Sequence, residues 1–313
     1  MQKYVFGVDV GGTTVKIGYF DLEGNVLDKW EIPTRTEDGG KNILPDVAQS
    51  IKDKMAENGI AQEEVAGVGA GVPGPVDGEG HVDVAVNLGW KDVQVRDELQ
   101  NLLGVPAMAG NDANVAALGE MWRGGGLGCK NLVAVTLGTG IGGGIIIDGK
   151  LLTGADGAGG EIGHIHIVDD EPNACGCGNH GCLEQYGSAT GVVTLAKRRL
   201  AKDDKASVLR DGELSAKAVF DAVKAGDEVA IDIAKEFGEI LGKGLGMIAS
   251  VVNPEMFVIG GGVSKAGEVL FDYIKPSYEK YVFRGSLNTR FALATLGNDA
   301  GIYGAAKLVL DAR

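Results

Sequence analysis

Apolar and polar positions along the chain change period repeatedly, and each change marks an element. Alternation over residues 3–10, 14–22 and 24–33 predicts three strands of an antiparallel meander, with turns at Gly11-Gly12 and Glu23-Gly24-Asn25. A helical period takes over at about 41–58 and stops at Asn58-Gly59, where glycine accommodates the positive φ of a helix end. "VAGVGAGVP" (65–73) reads as a buried strand running into a Pro/Gly loop. Residues 74–90 look irregular, 92–104 predict a helix, 105–110 a strand and 111–122 another helix.

From residue 131 the same grammar restarts, as strand, glycine turn, strand, and a turn at Asp148-Gly149. Superposing Val8 on Val135 sets Asp9 on Thr136, Gly11 on Gly138, Gly12 on Thr139 and Asp21 on Asp148 in constant register, which reads as an internal duplication. "HIHIV" (164–168) reads as a strand with His164 and His166 on one face. Helices follow at about 183–202, 215–225 and 228–251. The last carries Gly238, Gly242 and Gly246 on one stripe, where another backbone can approach. A strand (256–261), a helix (265–280), a strand (290–297) and a closing helix from Asp299 complete an α/β fold with mixed sheets.

A length of 313 residues suits two domains, and 44% hydrophobic with 23% charged residues is ordinary for a soluble globular protein. The 52 glycines are spread along the chain, so they signal many tight turns and not a flexible linker. A net charge of −14 repels a polyphosphate backbone, which disfavours nucleic acid. The only basic run, "AKRRLAK" (196–202), reads as the solvated face of a helix. The N-terminus lacks signal-peptide architecture and no uncharged apolar run reaches about 18 residues, so no membrane partner and a cytoplasmic location are expected.

The glycine turns, "DVGGTTVKIG" (9–18) and "VTLGTGIGGGIIID" (135–148), suit anion binding. Gly and Thr aim backbone N–H groups and hydroxyls at a phosphate that no Cβ obstructs. Gly138–Gly143 matches GxGxxG, but a strand follows it where a dinucleotide fold needs a helix, and no GxxxxGK[ST] exists. Asp9 carries a carboxylate suited to Mg²⁺ through water, and Lys16 can face a phosphate. "CGCGNHGC" holds Cys175, Cys177 and Cys182, which with one imidazole make the Cys₃His set of a structural Zn²⁺ site. Spacing alone leaves His164, His166 and His180 open as the fourth ligand. Cys129 lies outside the run and reads as a small buried residue. In "AGNDANVAAL" a strand meets a helix, and Asn111, Asp112 and Asn114 all qualify as its N-cap.

Together these motifs resemble a known group. "DVGGTTVKIG", "LGTGIGGG" and "VIGGGVS" (258–264) are similar to the two phosphate motifs and the adenosine motif of the sugar-kinase, Hsp70 and actin superfamily. "EIGHIHI…CGCGNHGCLE" resembles the zinc signature of the ROK (repressor, open reading frame, kinase) family, and "GNDAN" its catalytic segment. The resemblance covers essentially the whole chain and is strongest to the family's bacterial glucokinases.

It implies two ribonuclease-H-like domains with mixed sheets around a central cleft. Residues 1–118 plus 299–313 would form the smaller one, and 119–298 the larger one with the zinc loop. It implies His164 as the fourth zinc ligand, Asp112 as general base, and a hexose held by Gly71, Asn87, Asn111, Asp112, Glu161, His164 and Glu184, with Gly74 bringing backbone close. ATP would lie against Asp9, Gly11, Gly12, Thr13, Thr14, Lys16, Gly138, Thr139, Gly140, Gly261 and Gly262. The implied activity is ATP- and Mg²⁺-dependent phosphorylation of glucose at its 6-hydroxyl by a homodimer or dimer of dimers whose domains close over the substrates. N-acetylmannosamine, fructose or allose is the alternative sugar, and polyphosphate the alternative donor. The family's repressors carry a DNA-binding segment ahead of this core. Here the first motif begins at residue 9, so that activity is not expected, and neither is that of a sugar-independent ATPase.

Overall fold

The computed structural model describes residues 1–313. In chain order it contains β1 (Tyr4–Val10), β2 (Thr14–Asp21), β3 (Val26–Pro33), α1 (Ile43–Glu57), β4 (Val65–Val72), β5 (His81–Ala85), β6 (Trp90–Gln94), α2 (Val95–Leu103), β7 (Ala107–Asn111) and α3 (Asp112–Arg123). There follow β8 (Leu132–Leu137), β9 (Ile141–Ile147), β10 (Lys150–Leu151), α4 (Glu184–Gly187), α5 (Ala189–Leu200), α6 (Ala216–Lys224), α7 (Glu228–Val252), β11 (Met256–Gly260), α8 (Val269–Tyr281), β12 (Arg290–Leu293) and α9 (Ala300–Asp311).

Two five-stranded sheets run in the orders β3-β2-β1-β4-β7 and β10-β9-β8-β11-β12. In the first, β2 pairs antiparallel with β1 and β3, while β1-β4 and β4-β7 are parallel. The second repeats this, with β10-β9 antiparallel and β8-β11 and β11-β12 parallel. Three residues separate β1 from β2 and β8 from β9, so the turn at 11–13 matches the turn at 138–140. The duplication read from two short stretches thus extends to whole sheets.

Chain contacts define two compact units. One comprises Met1–Gly128, Gly144–Gly160 and Leu296–Arg313, and the other Cys129–Gly143 and Glu161–Thr295. In the first, alternation along β1 sends Phe6, Val8 and Val10 into a core with Val47, Ile51 and Leu99, and Val5 into a smaller core with Phe20, Ile302 and Ala306. Helix α9 can lie this close to the sheet and to α3 because glycines line the contact. A Cβ on Gly69 would fall 1.7 Å from the Ala305 carbonyl oxygen, and one on Gly304 would fall 1.6 Å from that of Val115. In the second unit, the stripe on α7 seats α8: positions 238 and 242 would each place a Cβ within 2.5 Å of α8 backbone oxygens, those of Tyr273 and Ile274.

Four local expectations need correction. Within 74–90, expected to be irregular, residues from His81 onward pair with Trp90–Gln94 in the β5-β6 hairpin, whose Trp90 is buried, and α2, expected from 92, starts only at Val95. The alternation there is short, and one face of the hairpin is solvated. The helix expected over 183–202 is broken at Ser188, whose hydroxyl accepts the Gly191 N–H and starts α5 afresh. "HIHIV" is no strand: His164 closes a single 3₁₀ turn, and His166 makes one isolated bridge to Cys182. The basic run is a solvated face only in part, at Lys197 and Lys202. Arg199 is buried between Asp203 and Asp232, and Arg198 reaches Glu171.

Candidate active site and metal centre

The first unit gathers Asp9, the turn 11–14, Lys16, Gly71, Asn87, Asn111 and Asp112. Strands β1, β4 and β7 are parallel neighbours, so Asp9, Gly71 and Gly110 fall in one register row at their C-terminal ends. The turn is held by Gly11 N–H donating to the Thr14 carbonyl at 3.0 Å and by the Thr34 hydroxyl donating to the Gly11 carbonyl at 2.7 Å, which leaves Gly12 and Thr13 exposed at the apex. Asn87 lies beside it, in the single turn joining β5 to β6; its Cβ and carbonyl oxygen would each lie 3.8 Å from a Cβ at Gly12. Lys16 donates to the Asn298 carbonyl at 3.1 Å.

Three residues competed to cap α3, and the structure chooses Asn111. Its side-chain oxygen accepts the Asn114 N–H at 3.1 Å, and its amide donates to the Gly74 carbonyl at 3.0 Å. Asp112 is the first helical residue, with one oxygen taken by the Ala113 N–H at 2.7 Å. Burial raises the Asp112 carboxyl above its ordinary range despite that bond. Asp9 is pushed up to about 6, first by burial and then by the charge of Asp112, with Lys16 opposing. Asp9 and Asp112 place carboxyl oxygens, the hard donor type that Mg²⁺ takes, beside the first glycine turn.

The second unit gathers Gly138, Thr139, Gly140, Glu161, His164, the three cysteines, Glu184, Gly261 and Gly262. The turn 261–262 follows β11 and lies against the backbone of Leu137, beside the turn at 138–140. The candidate ligand atoms of His164, Cys175, Cys177 and Cys182 all lie within 4.8 Å of one another. The Cys177 and Cys182 sulfurs are 3.7 Å apart, as are the Cys175 sulfur and His164 Nδ1. A tetrahedral Zn²⁺ with bonds of about 2.3 Å to sulfur sets its ligands about 3.8 Å apart, so the set fits zinc. His164 is the imidazole that falls within this set, whereas His166 and His180 lie outside it, with Nδ1 of His166 bonded to the His180 carbonyl at 2.8 Å and Nδ1 of His180 to the Glu171 carbonyl at 2.9 Å. Cys129 is buried, but not merely small and apolar: its sulfur accepts from Arg290 at 3.2 Å.

Glu184 joins these features. One oxygen accepts the Ile141 N–H at 3.3 Å, just past the 138–140 turn, and the other accepts from the Cys175 thiol at 2.9 Å and lies 3.7 Å from His164 Nδ1. His164 Nε2 points the other way, 3.9 Å from Glu161. A cavity of about 460 Å³ opens beside them, lined by Thr139, Gly140, Glu184, Ser188, Thr190 and Thr194 among others.

Glu171 escaped sequence reading, because nothing near it in the chain shows what it touches. It is buried in the cysteine loop and accepts from Arg198 at 2.7 and 2.9 Å, from Asn173, and from the Tyr186 hydroxyl. Burial works to raise its carboxyl, and these donors overcome that and hold it at about 2.

Residues 5–312 match the ROK family model. A glucokinase of Halalkalibacterium halodurans is 41% identical over 98% of this chain and 95% of its own length. Among solved structures, a ROK family glucokinase from Streptomyces griseus, in complex with glucose and AMPPNP, is 36% identical with a TM-score of 0.74, covering 98% of this chain and 99% of that one. A ROK hexokinase from Thermus thermophilus is 30% identical with a TM-score of 0.82, covering 99% and 100%. The two-sheet α/β architecture is therefore the one shared with these kinases, and the chain belongs to the ROK family.

Proposed function

We propose that the protein transfers the γ-phosphoryl group of ATP to the 6-hydroxyl of glucose, as a cytoplasmic homodimer, with Asp112 as general base. The observation that carries this reading is that Asp112 is left out of the cap. With Asn111 committed to the cap, a carboxylate raised above its ordinary range is left at the head of a helix, next to Asp9 and the first glycine turn. Such a group accepts the hydroxyl proton as the oxygen attacks phosphorus, and the proton ends on the carboxylate. Asn87, Asn111, Glu161, His164 and Glu184 supply the amides, carboxylates and imidazole that bridge neighbouring sugar hydroxyls, and Gly71 leaves room for the ligand.

The paired turns, Gly11–Thr14 and Gly138–Gly140, aim N–H groups and hydroxyls at the phosphates. Gly261 and Gly262 border the nucleoside, and Lys16 adds positive charge. A divalent ion bound with the triphosphate supplies charge neutralisation, and Asp9 is the residue that would hold it through water. His164, Cys175, Cys177 and Cys182 would hold zinc, which supplies rigidity to the loop that carries His164 and leads into Glu184.

The test is a coupled assay of ATP consumption across a panel of hexoses, including N-acetylmannosamine, fructose and allose, with polyphosphate as a second donor. Glucose with ATP is expected to give the highest kcat/KM. Asp112→Asn should lose at least about a hundredfold in kcat while still binding glucose; activity within a few-fold of wild type would refute the base.

A further inference from the structure

The chain passes between its two units four times, after Gly128, Gly143, Gly160 and Thr295. On the side of the first unit, all four passages are fastened to one helix, α3, the helix headed by Asp112. Glu120 holds two of them. Its Oε2 accepts the Gly125 N–H at 2.8 Å, on the segment leaving toward Gly128, and its Oε1 accepts the Leu296 N–H at 3.0 Å, where the chain returns. Its backbone carbonyl also accepts the N–H groups of Gly124 and Gly126, at 3.1 and 2.9 Å. A Cβ on Gly124 would lie 2.0 Å from the Glu120 carboxylate, so that residue must be glycine for the side chain to fold back over it.

The other two passages meet the first turns of the same helix. Gly144 packs so closely that a Cβ there would lie 2.4 Å from Ala117 Cβ and 3.2 Å from the Ala113 carbonyl oxygen. The Asn114 amide donates to the Gly159 carbonyl at 3.4 Å. Asn114 and Glu120 are 3% and 4% exposed and are the buried polar side chains of this helix. Their bonds to backbone groups of the passages fix positions that apolar packing alone would not select.

We infer that Glu120 is a positioning residue, which ties the outgoing and returning passages to α3 so that Asp112 keeps its place whenever those passages move, with Asn114 doing the same for the passage after Gly160. The kinetic consequence rests on the phosphoryl transfer proposed above, whereas the structural consequence does not. A base displaced by a fraction of an ångström loses rate before it loses substrate binding.

The experiment compares Glu120→Ala and Glu120→Gln with wild type and with Val47→Ala, a core truncation remote from the passages. Hydrogen exchange followed by mass spectrometry should quicken at least about tenfold at 124–128 and 296–299 together in Glu120→Ala, and stay unchanged in α1. At a temperature where each variant is fully folded, kcat should fall about tenfold or more in Glu120→Ala and less in Glu120→Gln, with KM for glucose within about threefold and Val47→Ala near wild type. If Glu120→Ala does not fold, Glu120→Gln carries both measurements. A Glu120 variant with wild-type kcat, or with faster exchange at neither segment, overturns the inference. A wild-type protein that phosphorylates no sugar refutes the proposed function instead, and the exchange measurement then decides the inference alone.

Discussion

At the residue scale the chemistry turns on which oxygen is free. Asn111, Asp112 and Asn114 are equivalent as caps on paper, and the cap goes to Asn111 because its amide is simultaneously held by the Gly74 carbonyl. Those two hydrogen bonds commit Asn111 and leave Asp112 out of the cap. A carboxyl raised by burial stays protonated to higher pH than an ordinary aspartate, and a protonated base cannot accept a proton. The pH profile of kcat/KM should therefore fall on its acid side with a midpoint above about 4, the usual value for aspartate. A profile flat down to pH 4 would contradict the assignment. Sequence alone could list the three candidates but not rank them, since the Gly74 contact joins residues far apart in the chain.

At the element scale the cysteine loop is stitched to α5 through Glu171. A carboxylate held at about 2 instead of about 4.5 adds stability that is complete above its unfolded value and is lost as pH falls from there toward 2. The shift corresponds to about 3 kcal/mol for a side chain that is 2% exposed. Glu171→Gln should lose about 3 kcal/mol in denaturant unfolding at pH 7, because Arg198 keeps its charge without a partner, and the difference from wild type should shrink in acid. A loss below about 1 kcal/mol would show that the pair does not hold the loop. Metal analysis should give about one zinc per chain. Cys182→Ser should lower that content and loosen protection across 164–184, whereas a zinc-free protein with full activity would remove the metal from the account. The cysteine run was plain in the sequence because its ligands are neighbours. Glu171 and Arg198 were not, because their pairing spans a loop and a helix.

At the scale of the whole molecule, two sheets of identical strand order arise from a duplication whose only clear sequence trace is the pair of glycine turns. Buried positions in such a repeat need apolar volume and not particular residues, so identity fades while topology persists. Close approach is less forgiving. Gly304 faces the Val115 carbonyl where α9 crosses α3, and Gly304→Ala should force the helices apart. The expected loss is about 1–3 kcal/mol by denaturant titration. An unchanged midpoint would mean that the crossing relaxes freely. No helix is long and apolar enough to cross a membrane.

The sequence by itself determined what local forces decide. Strand and helix periods, the glycine turns, the clustered cysteines and the alternating class of fold were legible because each depends on residues a few positions apart. The tertiary structure alone decided which polar side chain caps α3, that residues 81–94 form a hairpin carrying Asn87, and that Glu120 gathers two distant passages onto one helix. In each case the partner is supplied by a remote segment, and a hydrogen bond to a remote backbone group leaves no periodicity behind.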